Sequence, residues 1–93
     1  MSFLPCALQL DGEAREPLEL HAFDGKHFRL VGAHAKAPGQ PLTVVAQLDP
    51  PLSLDLKSIG SVRRPDGRFD VRARAATLTR DARAALLAFF AKP

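Results

Sequence analysis

Residues 52–75, Leu52-Ser-Leu-Asp-Leu-Lys-Ser-Ile-Gly-Ser-Val-Arg-Arg-Pro-Asp-Gly-Arg-Phe-Asp-Val-Arg-Ala-Arg-Ala75, decide how this chain is read. Leu52, Leu54 and Leu56 alternate with Ser53, Asp55 and Lys57; Phe69, Val71, Ala73 and Ala75 alternate with Asp70, Arg72 and Arg74. Successive side chains of an extended backbone point to opposite faces, so this period of two describes two strands, each with one apolar side turned to a core. Between them Pro65-Asp66-Gly67 supplies the turn. Proline presets the first central φ, and glycine accepts the left-handed backbone of a hairpin that closes through a G1 bulge. Gly60 marks a bulge or a close approach of backbones within the first of the two strands.

The same alternation runs through the residues upstream. Cys6, Leu8 and Leu10 share one side of a short strand that Gly12 closes. Leu18, Leu20 and Ala22 then oppose Glu19, His21 and Phe23, and after Asp24-Gly25-Lys26 the pattern resumes with Phe28 and Leu30 up to Gly32. Phe23 and Asp24 at the centre of a type I turn would put Gly25 in the left-handed position, giving this hairpin a G1 bulge too. Residues 35–41 are a loop by their prolines and glycine, and Leu42-Thr-Val-Val-Ala-Gln-Leu48 is a β-branched strand that Asp49-Pro50-Pro51 ends.

At residue 77 the period changes. Thr79 is an N-cap candidate, Asp81 an acid in the first turn, and Leu78, Ala82, Leu86 and Phe89 recur at helical spacing, widened by Leu87 and Phe90. Six short strands with one apolar face each cannot leave that face open. The expectation is therefore a mainly β protein, a six-stranded antiparallel β-barrel over about residues 5–76, with a C-terminal α-helix over about 79–92 covering one mouth. Residues 1–93 make one domain.

Composition narrows the function classes. The chain is 46% hydrophobic and 25% charged, an ordinary globular mixture. One cysteine, Cys6, cannot pair internally and suits a reducing compartment. The start lacks a basic leader and meets Asp11 and Glu13 early, and no stretch approaches the roughly 18 apolar residues of a span. A cytoplasmic protein without a membrane span is expected. The proposed first turn would make His21 and His27 cross-strand neighbours, yet His34 and Cys6 lie elsewhere, so no metal site is expected. Neither Cys6 nor Ser58 sits in a nucleophile motif, the carboxylates are scattered, and no glycine-rich phosphate loop precedes the helix. No catalytic residue and no cofactor are assigned, and the chain is not expected to be an enzyme.

Charge is distributed unevenly. Residues 1–46 hold four Lys and Arg against five acids, whereas residues 47–93 hold nine against five. Arg63, Arg64, Arg68, Arg72 and Arg74 gather on the last hairpin and form a candidate strip for an anionic ligand. The strip lacks interleaved aromatics, which argues against nucleic acid.

The run Val62-Arg63-Arg64-Pro-Asp-Gly-Arg-Phe-Asp-Val-Arg72, the helix Leu78 to Phe90 and the strand entry Pro38-Gly39-Gln40-Pro41-Leu-Thr-Val-Val45 resemble the PilZ domain family over roughly residues 6–90. The resemblance implies a six-stranded barrel of split-barrel type with a flanking helix, serving as receptor or adaptor in bacterial cyclic di-GMP signalling that governs motility, type IV pili and biofilm. Family members that bind the dinucleotide carry Arg-x-x-x-Arg before strand one, where this chain has Met1 to Pro5 without arginine. Their second motif, Asp/Asn-x-Ser-x-x-Gly, falls on His21 to Lys26, and none of its defining positions, His21, Phe23 and Lys26, matches. Arg64-Pro-Asp-Gly-Arg68 fits the first motif as a string but sits on the wrong hairpin. The favoured expectation is an adaptor that works by protein contact without binding cyclic di-GMP, with Leu87, Phe90 and Ala91 as its contact surface. The alternative is a cyclic di-GMP or nucleic-acid binder using the arginines of the C-terminal hairpin.

Overall fold

The computed structural model describes residues 3–9 and 15–91. The strands are β1 (Leu4–Gln9), β2 (Arg15–Phe23), β3 (His27–Gly32), β4 (Pro41–Ala46), β5 (Leu52–Arg63) and β6 (Phe69–Thr77), followed by α1 (Arg80–Ala91). They close into a barrel in the order β1-β2-β3-β6-β5-β4, every neighbouring pair antiparallel. The inward positions, among them Leu4, Cys6, Leu8, Leu20, Phe28, Leu42, Leu54 and Val71, form one buried cluster, as the alternation requires. Leu10 and Gly12, expected to end strand one, and Lys92, expected at the helix end, lie outside the described residues.

The turn between β5 and β6 forms as its residues dictate. Gly67 N–H donates to Arg64 O at 3.1 Å, Arg64 N–H donates to Arg68 O at 2.7 Å, and Gly67 takes φ of 85°. Pro65 and Asp66 are thus the central residues, with the bulge at glycine. The interruption at Gly60 is also a bulge, since the β5–β6 register shifts between Ser58 and Gly60. The helix begins where its cap is: Ala82 N–H donates to Thr79 Oγ1 at 3.1 Å. Ala82 and Leu86 are buried in the barrel's own cluster, and Leu78, Phe89 and Phe90 pack against it.

The first hairpin differs from expectation. Asp24 Oδ1 accepts from Lys26 N–H at 2.9 Å and from His27 N–H at 2.7 Å, which places the turn on Gly25-Lys26 instead of Phe23-Asp24. Phe23 therefore stays in β2 opposite Phe28, while Leu20 lies opposite Leu30, and the one-residue mismatch is absorbed at His21 as a bulge. A bulge reverses the facing of the strand residues beyond it. Phe23, expected outside, is buried with its ring 4.5 Å from Phe28, and Ala22, expected inside, is exposed. For the same reason His21 and His27 are not cross-strand partners; His27 lies opposite Arg74.

The loop of residues 33–40 crosses the other end of the barrel and is pinned there. Lys36 Nζ donates to Glu16 Oε1 at 2.9 Å, with both residues buried. Lys36 N–H donates to Ser61 Oγ at 3.0 Å, and Ser61 Oγ donates back to Lys36 O at 3.1 Å. Gly32 sits beneath this ion pair, where a Cβ would be driven into Leu18 Cδ2 and would lie 3.5 Å from Glu16 Oε2. The second carboxylate oxygen, Oε2, has no partner among the described residues, so the lysine carries the whole compensation of a buried charge. Lys36→Ala is expected to lower the unfolding free energy by about 3 kcal/mol or more, read from urea denaturation. Glu16→Leu with Lys36→Met should recover most of that loss. A single-variant loss below ~1 kcal/mol would show that the pair does not hold the loop.

Candidate functional site

Outward positions of β3, β6 and β5 lie side by side because the three strands pair in register. His27, Arg74 and Lys57 form one row across the sheet, and Arg29, Arg72 and Gly60 form the next. Ile59, thrown outward by the β5 bulge, and Val62 are exposed beside them at 45% and 71%. Two adjoining hollows of ≈ 520 and ≈ 400 Å³ follow this face and share Arg29, Ile59 and Arg72. The result is an open groove lined by the Arg29 and Arg72 guanidinium groups and by the Asp70 and Asp24 carboxylates, with aliphatic side chains on its β5 side.

The five arginines singled out in the sequence do not act together. Arg72 lines the groove and Arg74 lies one row farther along the same sheet face, both exposed and without an ion pair among the described residues. Arg64 lies 3.4 Å from Asp66 and 3.4 Å from Asp70, and Arg68 lies 3.2 Å from Glu19, so both are engaged at the hairpin end. Arg63 lies opposite Phe69 and so projects to the inward side of the sheet, at the barrel rim. In their place the register supplies Arg29, opposite Arg72 and 3.3 Å from Asp70, and Lys57, opposite Arg74. Both are visible in the sequence as basic residues on alternating strands, but only the pairing of β3 and β5 with β6 brings them to this face.

The positions that would carry the second dinucleotide motif have internal partners. His21 Nε2 donates to Glu19 Oε1 at 2.9 Å, and its ring stacks on Phe3 with centroids 5.4 Å apart. Phe23 is in the core, and Lys26 occupies the turn that Asp24 caps. The hydrogen bond from His21, helped by Arg68, holds Glu19 below its ordinary pKa. Backbone N–H donors do the same for Asp24, from His27 and Lys26, and for Asp66, from Arg68.

Cys6 is buried, donates weakly to Leu4 O at 3.4 Å, and has its thiol pushed up to about 12 by desolvation, which removes nucleophilic character near neutrality. Ser58 Oγ is buried with no partner among the described residues. Among those residues no group of three or more His, Cys, Asp or Glu converges as a metal site would require. No helix among them is long and apolar enough to cross a membrane.

The expected helical surface is divided. Leu87 is 40% exposed and Ala91 is exposed, whereas Phe90 packs against the core and edge-on to Phe89 with centroids 5.0 Å apart. Leu87 and Ala91 stay at the surface. A hollow of ≈ 300 Å³ lies between the helix and the β4–β5 connection, lined by Leu48, Asp49, Pro50 and Leu52 on one side and by Ala85, Ala88 and Phe89 on the other. No family model, curated protein or solved structure matches the chain.

The depressed carboxylates give stability a definite acid dependence. A folded pKa below the unfolded value means a contribution present in full above the ordinary carboxylate range and lost as pH falls through the lowered value. The urea midpoint is expected to fall below about pH 4, and replacing Glu19, Asp24 and Asp66 by Gln, Asn and Asn should flatten that branch. An acid branch of unchanged steepness in the triple variant would assign it to other groups.

Proposed function

We propose that the protein is a non-catalytic PilZ-like module that acts by contact with a protein partner, in cytoplasmic cyclic di-GMP-related regulation of bacterial motility, type IV pili or biofilm, without binding the dinucleotide itself. The observation that supports this most is the use of residues 21–26 for folding. His21 fills a bulge and bonds Glu19, Phe23 is stacked in the core, and the Asp24 carboxylate is committed to two backbone N–H groups. A ligand there would have to displace contacts that set the hairpin's register.

The helix surface is the contact surface in this reading, with Leu87 and Ala91 exposed on it. An exposed aliphatic side chain gives a partner an apolar anchor. Phe90 belongs to the core side of the helix and steadies the surface from beneath. The nucleotide alternative keeps Arg72 and Arg74 alone, since Arg64 and Arg68 already have carboxylate partners.

Calorimetric titration with cyclic di-GMP is expected to give no saturable heat; a low-micromolar dissociation constant would overturn the reading. Leu87→Asp should abolish adducts formed in cells by a photo-crosslinking side chain at position 84 while leaving the melting temperature nearly unchanged. Phe90→Ala should instead cost about 2 kcal/mol of stability, below the full aromatic truncation value because the ring is half-buried. Equal stability losses in the two variants would assign Leu87 to packing as well.

A further inference from the structure

The outer face of β3, β6 and β5 carries like charges in direct opposition. Arg29 faces Arg72 and Arg74 faces Lys57 across adjacent strands, with His27 on the other side of Arg74. Like charges directly opposite on one sheet face destabilise it, and a change of one residue in each pair would relieve the repulsion. The acids nearby are largely committed: Asp70 is 3.3 Å from Arg29 and 3.4 Å from Arg64, and Asp24 serves the turn and lies 3.7 Å from His27. Asp55, one outward step beyond Lys57, is the remaining acid on β5, and it makes no ion pair among the described residues. Arg72, Arg74 and Lys57 are thus left without an ion pair among the described residues, and the face carries unpaired positive charge.

We propose that this outer face, with the groove along Arg29 and Arg72 and the neighbouring row of Arg74 and Lys57, is a docking surface for an extended acidic segment of a protein, with its carboxylates on those four residues and its aliphatic side chains on Ile59 and Val62. The site is separate from the helix face, and it stands or falls independently of that surface. Along a strand, side chains on one face recur every roughly 6.8 Å, and that distance separates the Arg29–Arg72 row from the Arg74–Lys57 row. Carboxylates two residues apart on an extended chain have the same spacing, so one segment reaches both rows. A single phosphate reaches one row only.

The apolar side of the groove distinguishes peptide from nucleic acid. Ile59 and Val62 are aliphatic, and the exposed large hydrophobic residues among those described are Ile59, Val62 and Leu87. Bases need a ring or a flat platform to stack upon, whereas valine, leucine and isoleucine side chains need only exposed methyl groups. Guanidinium groups over an open groove, flanked by methyl-bearing side chains, match an alternating acidic and aliphatic chain.

The test is a nuclear magnetic resonance titration of the full chain with a short peptide alternating Glu and Val, an equally long peptide alternating Lys and Val, and oligothymidylate. The acidic peptide is expected to shift the amides of residues 27–31, 57–62 and 70–74, with an affinity that falls as salt rises. Arg72→Glu with Arg74→Glu should weaken it at least about tenfold. Relief of repulsion gives a second readout: Arg72→Gln and Arg74→Gln should each raise the melting temperature by about 2–5 °C. The proposal is overturned if the acidic peptide leaves those amides unmoved, if the basic peptide binds equally well, or if oligothymidylate takes the same face more tightly. A lowered melting temperature in Arg72→Gln would also overturn it, by showing that the row serves the fold.

Discussion

The pairing of β1 with β4, from Cys6 opposite Ala46 to Leu8 opposite Val44, turns a run of antiparallel ladders into a ring. Everything else in the molecule depends on that seam. It lets every strand bury one apolar side in a shared interior, which a sheet of this size could not do while open. It also consumes the long backbone edges through which β proteins often recruit a further strand. The surface left to other molecules is that of side chains on the outer wall and on the helix.

The outer wall is divided by its ion pairs. At the β5–β6 turn, Arg68 reaches Glu19 of β2 while Arg64 and Arg29 share Asp70, so these groups tie three strands together. Val31, flanked in register by Glu19 and Asp70, is buried on this outer side of the sheet although it belongs to no core cluster. Farther along the sheet, Arg72 and Arg74 of β6 and Lys57 of β5 have no such carboxylates, and their charge is unpaired among the described residues. The border between the two behaviours runs through Arg29, which takes part in both.

Much of the fold is legible from local patterns. The alternation of Leu54 and Leu56 with Asp55 and Lys57, the Pro65-Asp66-Gly67 turn and the Thr79 cap each depend on interactions within a few residues, so each can be read without knowing its neighbours in space. The first hairpin is not legible in this way, because Asp24 has two roles open to it. As a central turn residue it would place Phe23 outside; as a cap on Lys26 and His27 it places Phe23 against Phe28. Burying two stacked rings outweighs the irregularity that the His21 bulge introduces, and that comparison needs the interior of the barrel.

By itself the sequence determined the strand succession, the facing of most strand residues, the second turn and the helix start, because these are consequences of backbone geometry and a period of two or of 3.6. It also determined that arginine would crowd the last hairpin. Tertiary structure alone decided that Arg68 is engaged, since Glu19 reaches it only once β2 lies near the β5–β6 turn, whereas Arg64 meets Asp66 and Asp70 within its own hairpin. It decided as well that Lys36, in a segment that reads as a polar loop, is buried on Glu16 twenty residues away. Long-range charge pairing carries no local signature, because the energy of an ion depends on its surroundings in space and not on its place along the chain.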